Sequence, residues 1–136
     1  MNPDQVLGLF VALILGALIG LERQYRKHPA GLHTNALVAL GAAAFVIAGT
    51  LVGNETGGTR VAGQVVTGVG FICAGVIFHQ GATVRGLNTA ATVWCSSAVG
   101  VLAGLGFVLW ATLVGGLILV ANIILHFCEH TFTDSK

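Results

Sequence analysis

Few side chains in this chain of 136 residues can do chemistry, because only six are Lys or Arg and five are Asp or Glu. Glu22 and Arg23 close a long apolar run, and Arg26 follows Glu22 by one helical turn, a spacing that lets the two pair. Ionisable groups at the edge of hydrocarbon are costly unless used. Glu22 is therefore a candidate to bind a cation or to hold Arg85. Gln64 and the series Asn88, Thr92 and Ser96 supply amides and hydroxyls that would line a site between helices; the simpler reading makes them parts of packing faces. His126-Phe127-Cys128-Glu129-His130 matches the H-x-x-E-H pattern of some zinc peptidases. A catalytic zinc needs a third ligand and an open position in a cleft. Here the motif ends an apolar helix, where His complements the helix dipole, so no metal ligand set is assigned. His28, His33 and His79 read as interfacial. There is no Ser-His-Asp set, phosphate loop or nucleotide fingerprint, which excludes an ATPase and leaves no cofactor to expect.

The groups that could position these residues are apolar. Hydrophobic residues make up 55% of the chain and charged ones 8%, with a mean hydropathy of +0.90. A soluble domain carries about 25% charged residues on its surface, so this composition points to a polytopic membrane protein. A net charge of +1 gives no basic face for nucleic acid. Cys73, Cys95 and Cys128 lie in or beside apolar runs, and an odd number so placed does not form a disulfide framework.

A transmembrane helix takes about 20 apolar residues. Residues 3–22, 34–52 and 60–79 supply three. The stretch from Gly86 to Glu129 is too long for one crossing and breaks best at Gly104-Leu105-Gly106, giving spans 88–104 and 107–127. Asn2-Pro3-Asp4 reads as a helix start and not as part of a cleaved signal, since no Lys or Arg precedes the apolar run. Arg23, Arg26, Lys27, Arg85 and Lys136 fall on one side and Arg60 alone on the other. That bias places the N-terminus outside and loops one and three and the C-terminus in the cytoplasm. The tail ends soon after the last span, so a single transmembrane domain over 1–136, with no soluble domain after it, is expected.

Small residues recur every fourth position. Gly8, Ala12, Gly16 and Gly20 form one ridge, and Asn88, Thr92, Ser96, Gly100 and Gly104 another. The bilayer supplies little hydrophobic force between helices, so such ridges serve close packing, and two of them suggest a homodimer. Gly31-Leu32-His33-Thr34-Asn35-Ala36-Leu37-Val38 resembles Gly86-Leu87-Asn88-Thr89-Ala90-Ala91-Thr92-Val93, which suggests a parallel repeat of helices 1–2 and 3–4. Two helix N-termini would then face the cytoplasm near Arg85, a setting that favours anions.

Four blocks carry a family resemblance: residues 15–24 (LGALIGLERQ), 30–38 (AGLHTNALV), 62–77 (AGQVVTGVGFICAGVI) and 84–95 (VRGLNTAATVWC). In order, and over most of residues 6–125, they resemble the MgtC/SapB family of bacterial inner-membrane proteins. By matching position, the resemblance assigns function to Glu22, Arg23, Gln64, Arg85, Asn88, Thr89 and Cys95. It implies a link to magnesium limitation and to survival in macrophages, through modulation of other membrane proteins. His33 stands where the family often has Arg, and His79-Gln80 where an Arg-Glu pair is common, which thins the cytoplasmic charge and weakens any strict ion-pair mechanism. Some members carry a cytoplasmic C-terminal domain, which the short tail gives no reason to expect here.

Three functions compete. A non-enzymatic regulator would dock on another membrane protein through a small-residue ridge or the first loop. An ion transporter, acting as a homo-oligomer, would use polar groups of spans three and four. A structural subunit would bind no ligand. Mg²⁺ dehydrates reluctantly and seeks carboxylates, yet no Asp or Glu lies in a span core. Hydroxyls, amides and carbonyls would suit a monovalent ion better. The regulator is the favoured expectation.

Overall fold

Gly8, Gly16, Gly20, Gly100 and Gly104 hold the key to how this chain packs. The computed structural model describes residues 3–80 and 82–133. Its helices are α1 (Pro3–Tyr25), α2 (Leu32–Val76), α3 (Leu87–Gly104) and α4 (Val108–Thr133), with a two-stranded antiparallel hairpin, β1 (Phe78–Gln80) and β2 (Thr83–Arg85), before α3. Five helical segments are long and apolar enough to cross a membrane: Pro3–Tyr25, Leu32–Gly53, Thr56–Val76, Leu87–Gly104 and Val108–Cys128. The five expected spans are therefore present.

Four helices supply five spans because α2 contains two. A straight helix would separate Gly49 from Gly57 by about 12 Å. Instead a Cβ on Gly57 would strike the Gly49 carbonyl, and one on Gly58 would strike the Thr50 hydroxyl. The chain doubles back at residues 53–55 without losing helical backbone. Glycines on both sides of the bend let the arms touch through their main chains, where a loop would be expected. The second reversal falls where Gly104-Leu105-Gly106 predicts it: Gly106 has φ +88°, a left-handed conformation that glycine adopts without a Cβ clash. α1 begins at Pro3 with Asp4 in its first turn; Asn2 lies outside the described residues.

α1, the first arm of α2 and α3 form the tight core. A Cβ on Gly16 would lie 2.6 Å from the Asn35 carbonyl oxygen, and one on Gly20 2.6 Å from that of Gly31. One on Gly104 would lie 2.7 Å from that of Ala43. Gly8 and Gly100 are pressed as closely against the carbonyls of Ala103 and Ala39. These ridges are packing faces within one chain. They are covered within the chain, so they give no argument for the homodimer expected on their account. Ala12, Ile19, Ala39, Ala43, Val99 and Ala103 are fully buried between them. A second cluster joins Ala42, Val65, Val69, Cys73, Ala90 and Val93 across both arms of α2 and α3.

The contacts sort the chain ends. Gly20 meets Gly31 and Leu32, and Gly86 meets Val76 and Ile77. Arg23 reaches Thr89 and Arg26 lies over Phe127. The first loop, the β hairpin and the end of α4 thus share one end, which carries Arg23, Arg26, Lys27 and Arg85. Gly8 with Ala103 and Gly58 with Leu105 mark the other, where Arg60 lies. The two segments read as a repeat both open helices at the basic end, but Gly31 has φ −95° and ψ −146° while Gly86 has φ +90° and ψ −2°. The hairpin between Phe78 and Arg85 stands where sequence reading expects the end of span three and a loop.

Glycine identity should matter where backbone is opposed and not elsewhere. Gly100→Ala is expected to lower stability by about 2–3 kcal/mol, because its methyl must displace main chain. Gly116→Ala, with open space at its Cβ, should be neutral or stabilising by up to about 1 kcal/mol. Denaturant titration in detergent micelles separates the two.

Candidate functional site

The tight packing at the basic end encloses polar groups that would otherwise stay at the surface. Arg23 belongs to the buried ridge of α1 and is 6% exposed. Its Nη2 donates to Thr89 Oγ1 at 3.2 Å, joining the end of α1 to the start of α3. Thr89 is itself buried. One turn along, Glu22 and Arg26 form an ion pair through Oε1 and Nε. Arg26 also stacks on α4, its guanidinium carbon 5.8 Å from the centroid of Phe127. Both residues are mostly covered by protein, so the pair is better shielded than an exposed one.

Among the described residues, Glu22 Oε2, Arg23 Nε and Asn122 Nδ2 are buried without a hydrogen-bond partner, while Glu22 Oε1 has its ion pair with Arg26. Asn122 is the one amide of α4. Leu15 packs on Gly115 and Arg26 on Phe127, so α1 and α4 run parallel with a near-constant offset in number. That offset sets Asn122 level with Glu22. The seam between the two helices is apolar around Ile19 and Leu119 and becomes polar in its last two turns. His28, in the loop after α1, completes the group. Its imidazole is held below the usual histidine range, first by burial and then by the Arg23 cation. Glu22 pulls the other way, while His126 and Arg26 add further repulsion.

A second polar lock lies deeper. Asn35 is fully buried and fully used. Its Nδ2 donates to the carbonyls of Ala30 and Gly31, each at 3.0 Å, and its Oδ1 accepts from Ser96 Oγ at 2.8 Å. One side chain thus braces the first loop, starts α2 and ties α2 to α3. Cys73 Sγ donates to the Ala90 carbonyl at 3.2 Å, which binds the second arm of α2 to α3.

The residues singled out from sequence do not all converge. Glu22, Arg23 and Thr89 meet at the basic end, and Glu22 takes Arg26 as its partner. Arg85 is exposed on β2 and does not hold Glu22. Asn88 is exposed at the start of α3, and Cys95 is half-buried further along it. Gln64 is exposed on the second arm of α2, in a groove between the two arms. Gln64 and Asn88 therefore line no common site. Thr92 and Ser96 are buried, and Thr92 Oγ1 donates back to the Asn88 carbonyl at 2.9 Å. Asn35 and Asn122 were missed; Asn122 is a lone amide in an apolar run, and that is the signal that could have found it. The side chains of His79, Gln80, Glu129 and His130 lie outside the described residues. Among the described residues no group of three or more His, Cys, Asp or Glu could hold a metal.

Residues 9–131 match the profile of the MgtC family. An uncharacterized protein of Synechocystis is 52% identical over 122 residues, covering 90% of this chain and 52% of the relative. Protein MgtC of Brucella abortus is 54% identical over 114 residues, covering 84% of this chain and 48% of the relative. Protein MgtC of Salmonella typhimurium is 53% identical over 120 residues, covering 88% and 52%. The chain thus spans about half the length of the curated relatives it matches. No solved structure matches it at a significant level.

Two measurements check the site. A double-mutant cycle with Asn35→Ala and Ser96→Ala should give a coupling of about 0.6–1.7 kcal/mol, the range for interhelical hydrogen bonds in membranes. His28 binds its proton less readily folded than unfolded. The unfolded chain therefore takes up more protons as pH falls through and just below the ordinary histidine range, and stability drops there. Thermal unfolding in micelles should show that loss on acidification, and His28→Gln should flatten it.

Proposed function

The chain belongs to the MgtC family, and from that premise we propose that it is a non-enzymatic, multi-pass protein of the bacterial inner membrane that modulates another membrane protein. Its setting is magnesium limitation or virulence, as the family resemblance implies. The basic end faces the cytoplasm in this reading, in keeping with the positive-inside bias.

The observation that carries the reading is the way the interior is filled. The α1, α2 and α3 seams close on backbone carbonyls, and their central side chains are wholly buried. Three of the buried polar side chains bond within the chain: Arg23 to Thr89, Asn35 to Ser96, Cys73 to Ala90. A body packed this way suits a fixed shape offered to a partner. The glycine ridges are occupied, so the docking surface moves to the cytoplasmic end. There Arg85 stands exposed on a hairpin with Val84 beside it. An exposed cation beside apolar surface suits an acidic, partly apolar segment of a partner.

A second reading rests on Glu22 Oε2 and Asn122 Nδ2, buried without a hydrogen-bond partner among the described residues. Ion movement by a homo-oligomer would draw on those groups. One pair of experiments separates the readings. Purified protein in liposomes should give no Mg²⁺, K⁺ or H⁺ flux above empty vesicles. A photo-crosslinker at Val84 should capture a membrane protein from native membranes, with yield falling about tenfold in Arg85→Ala. Flux that disappears in Glu22→Gln would replace the modulator with the transporter.

A further inference from the structure

α4 is held unevenly along its length. Away from the basic end, a tight turn at Gly106 joins it to α3, Ala111 is fully buried and Gly115 packs on Leu15. Ile118 and Leu119 still reach the core. Over residues 120–128 all are exposed except Asn122 and His126, which are half-buried. These two are one turn apart and share a face, the face toward the end of α1. The other side of this seam is fastened. Arg23 bonds to Thr89 of α3. The His28 N–H donates to the Arg23 carbonyl at 3.0 Å, and the Leu32 N–H donates to Gln24 Oε1 at 3.2 Å. Asn35 holds the Ala30 and Gly31 carbonyls.

Between the fastened side and the peripheral helix lies an unbalanced set of charges. Among the described residues, the charged and titratable groups that act on the His28 imidazole are Arg23, Glu22 and Arg26 of α1 and His126 of α4. α3, also packed here, carries no charged residue. With both histidines neutral, two guanidinium cations face the Glu22 carboxylate, and Glu22 Oε1 is already committed to Arg26. Protonating both imidazoles would set four cations against that one carboxylate in a partly covered seam. Like charges so close repel, and less water means less screening. Burial and Arg23 outweigh the pull of Glu22 on His28, so the closed seam resists the proton that an open one would accept.

We infer that the basic end of the α1–α4 seam is a proton-operated latch, in which protonation of His28 and His126 swings the end of α4 away from α1 about its packed far half. α4 is the element that moves, because α1 and the first loop are bonded to α2 and α3 while the last turns of α4 rest on Arg26 over Phe127. The open form gives both imidazoles water and distance from the guanidinium groups. It binds more protons, so acid favours it. Opening uncovers Glu22 Oε2 and Asn122 Nδ2, which the closed seam buries. The latch requires neither a partner nor a transported ion and stands apart from both readings of the function.

The test is double electron–electron resonance on the protein in lipid nanodiscs, with nitroxides carried by noncanonical residues at exposed Tyr25 and Leu125, on the ends of α1 and α4. From about pH 8 to about pH 5, a longer distance should grow at the expense of a shorter one. Below the midpoint the ratio of the two should rise about tenfold per pH unit for each proton taken up. The double variant His28→Gln, His126→Gln should keep the short distance throughout. A second label pair at exposed Leu7 and Leu109, at the opposite end of the same two helices, should not move, and circular dichroism should stay constant. A distance unmoved by acid would overturn the proposal. So would a lengthening that survives in the double variant, or one of equal size between Leu7 and Leu109.

Discussion

Everything in this molecule depends on helix backbones coming into direct contact. Inside a bilayer a leucine gains little by leaving lipid for protein, so helices associate only if they fit better to each other than to acyl chains. The fit here is carbonyl oxygen against glycine Cα: Gly16 on Asn35, Gly20 on Gly31, Gly100 on Ala39, Gly104 on Ala43. A side chain at any of these points would hold two helices apart over several turns. α3 is consequently the most enclosed span, while the second arm of α2 and α4 lie at the periphery with most of their surface toward lipid.

Close approach also makes the polar groups affordable. Arg23 can be buried because α3 comes near enough for Thr89 to accept from it. Asn35 can sit in an apolar interior because three partners are within reach. The polar end and the tight seams are therefore one arrangement: the seams set the spacing at which these short side chains meet. The Glu22–Arg26 pair differs, since its groups are neighbours on one helix and meet whether or not α4 is present. What α4 adds is cover, through Phe127 and Asn122.

Much of the fold was legible in the sequence because the relevant signals are periodic or local. Five apolar runs of the right length, small residues at every fourth position, paired glycines at residues 104–106 and a Glu-to-Arg spacing of four all report on a single helix. The site was less legible because its partners are distant in sequence. Arg85 was an electrostatically reasonable partner for Glu22, but β2 places it in the open while Arg26 lies one turn away. Gln64 and Asn88 belong to consecutive spans and seemed to share a cavity, yet one faces the groove of α2 and the other lies exposed at the start of α3. Asn35 was read only as part of a repeated segment, and nothing local marks it as the hub of three bonds. The bend in α2 was hidden for the opposite reason. No Pro interrupts residues 49–58, so the reversal rests on glycines that elsewhere in this chain sit inside straight helices.

The bond between Arg23 and Thr89 spans 66 residues of sequence, which gives the protein a timetable. α1 leaves the insertion machinery first and carries a guanidinium whose partner has not yet been made. Until α3 follows, that group can only reach for water and headgroups at the membrane surface. Gly8 waits in the same way for Ala103, at the far end of α3. The first helix is thus inserted early but seated late, and the arrival of α3 is the step that draws Arg23 in from the interface and closes the core.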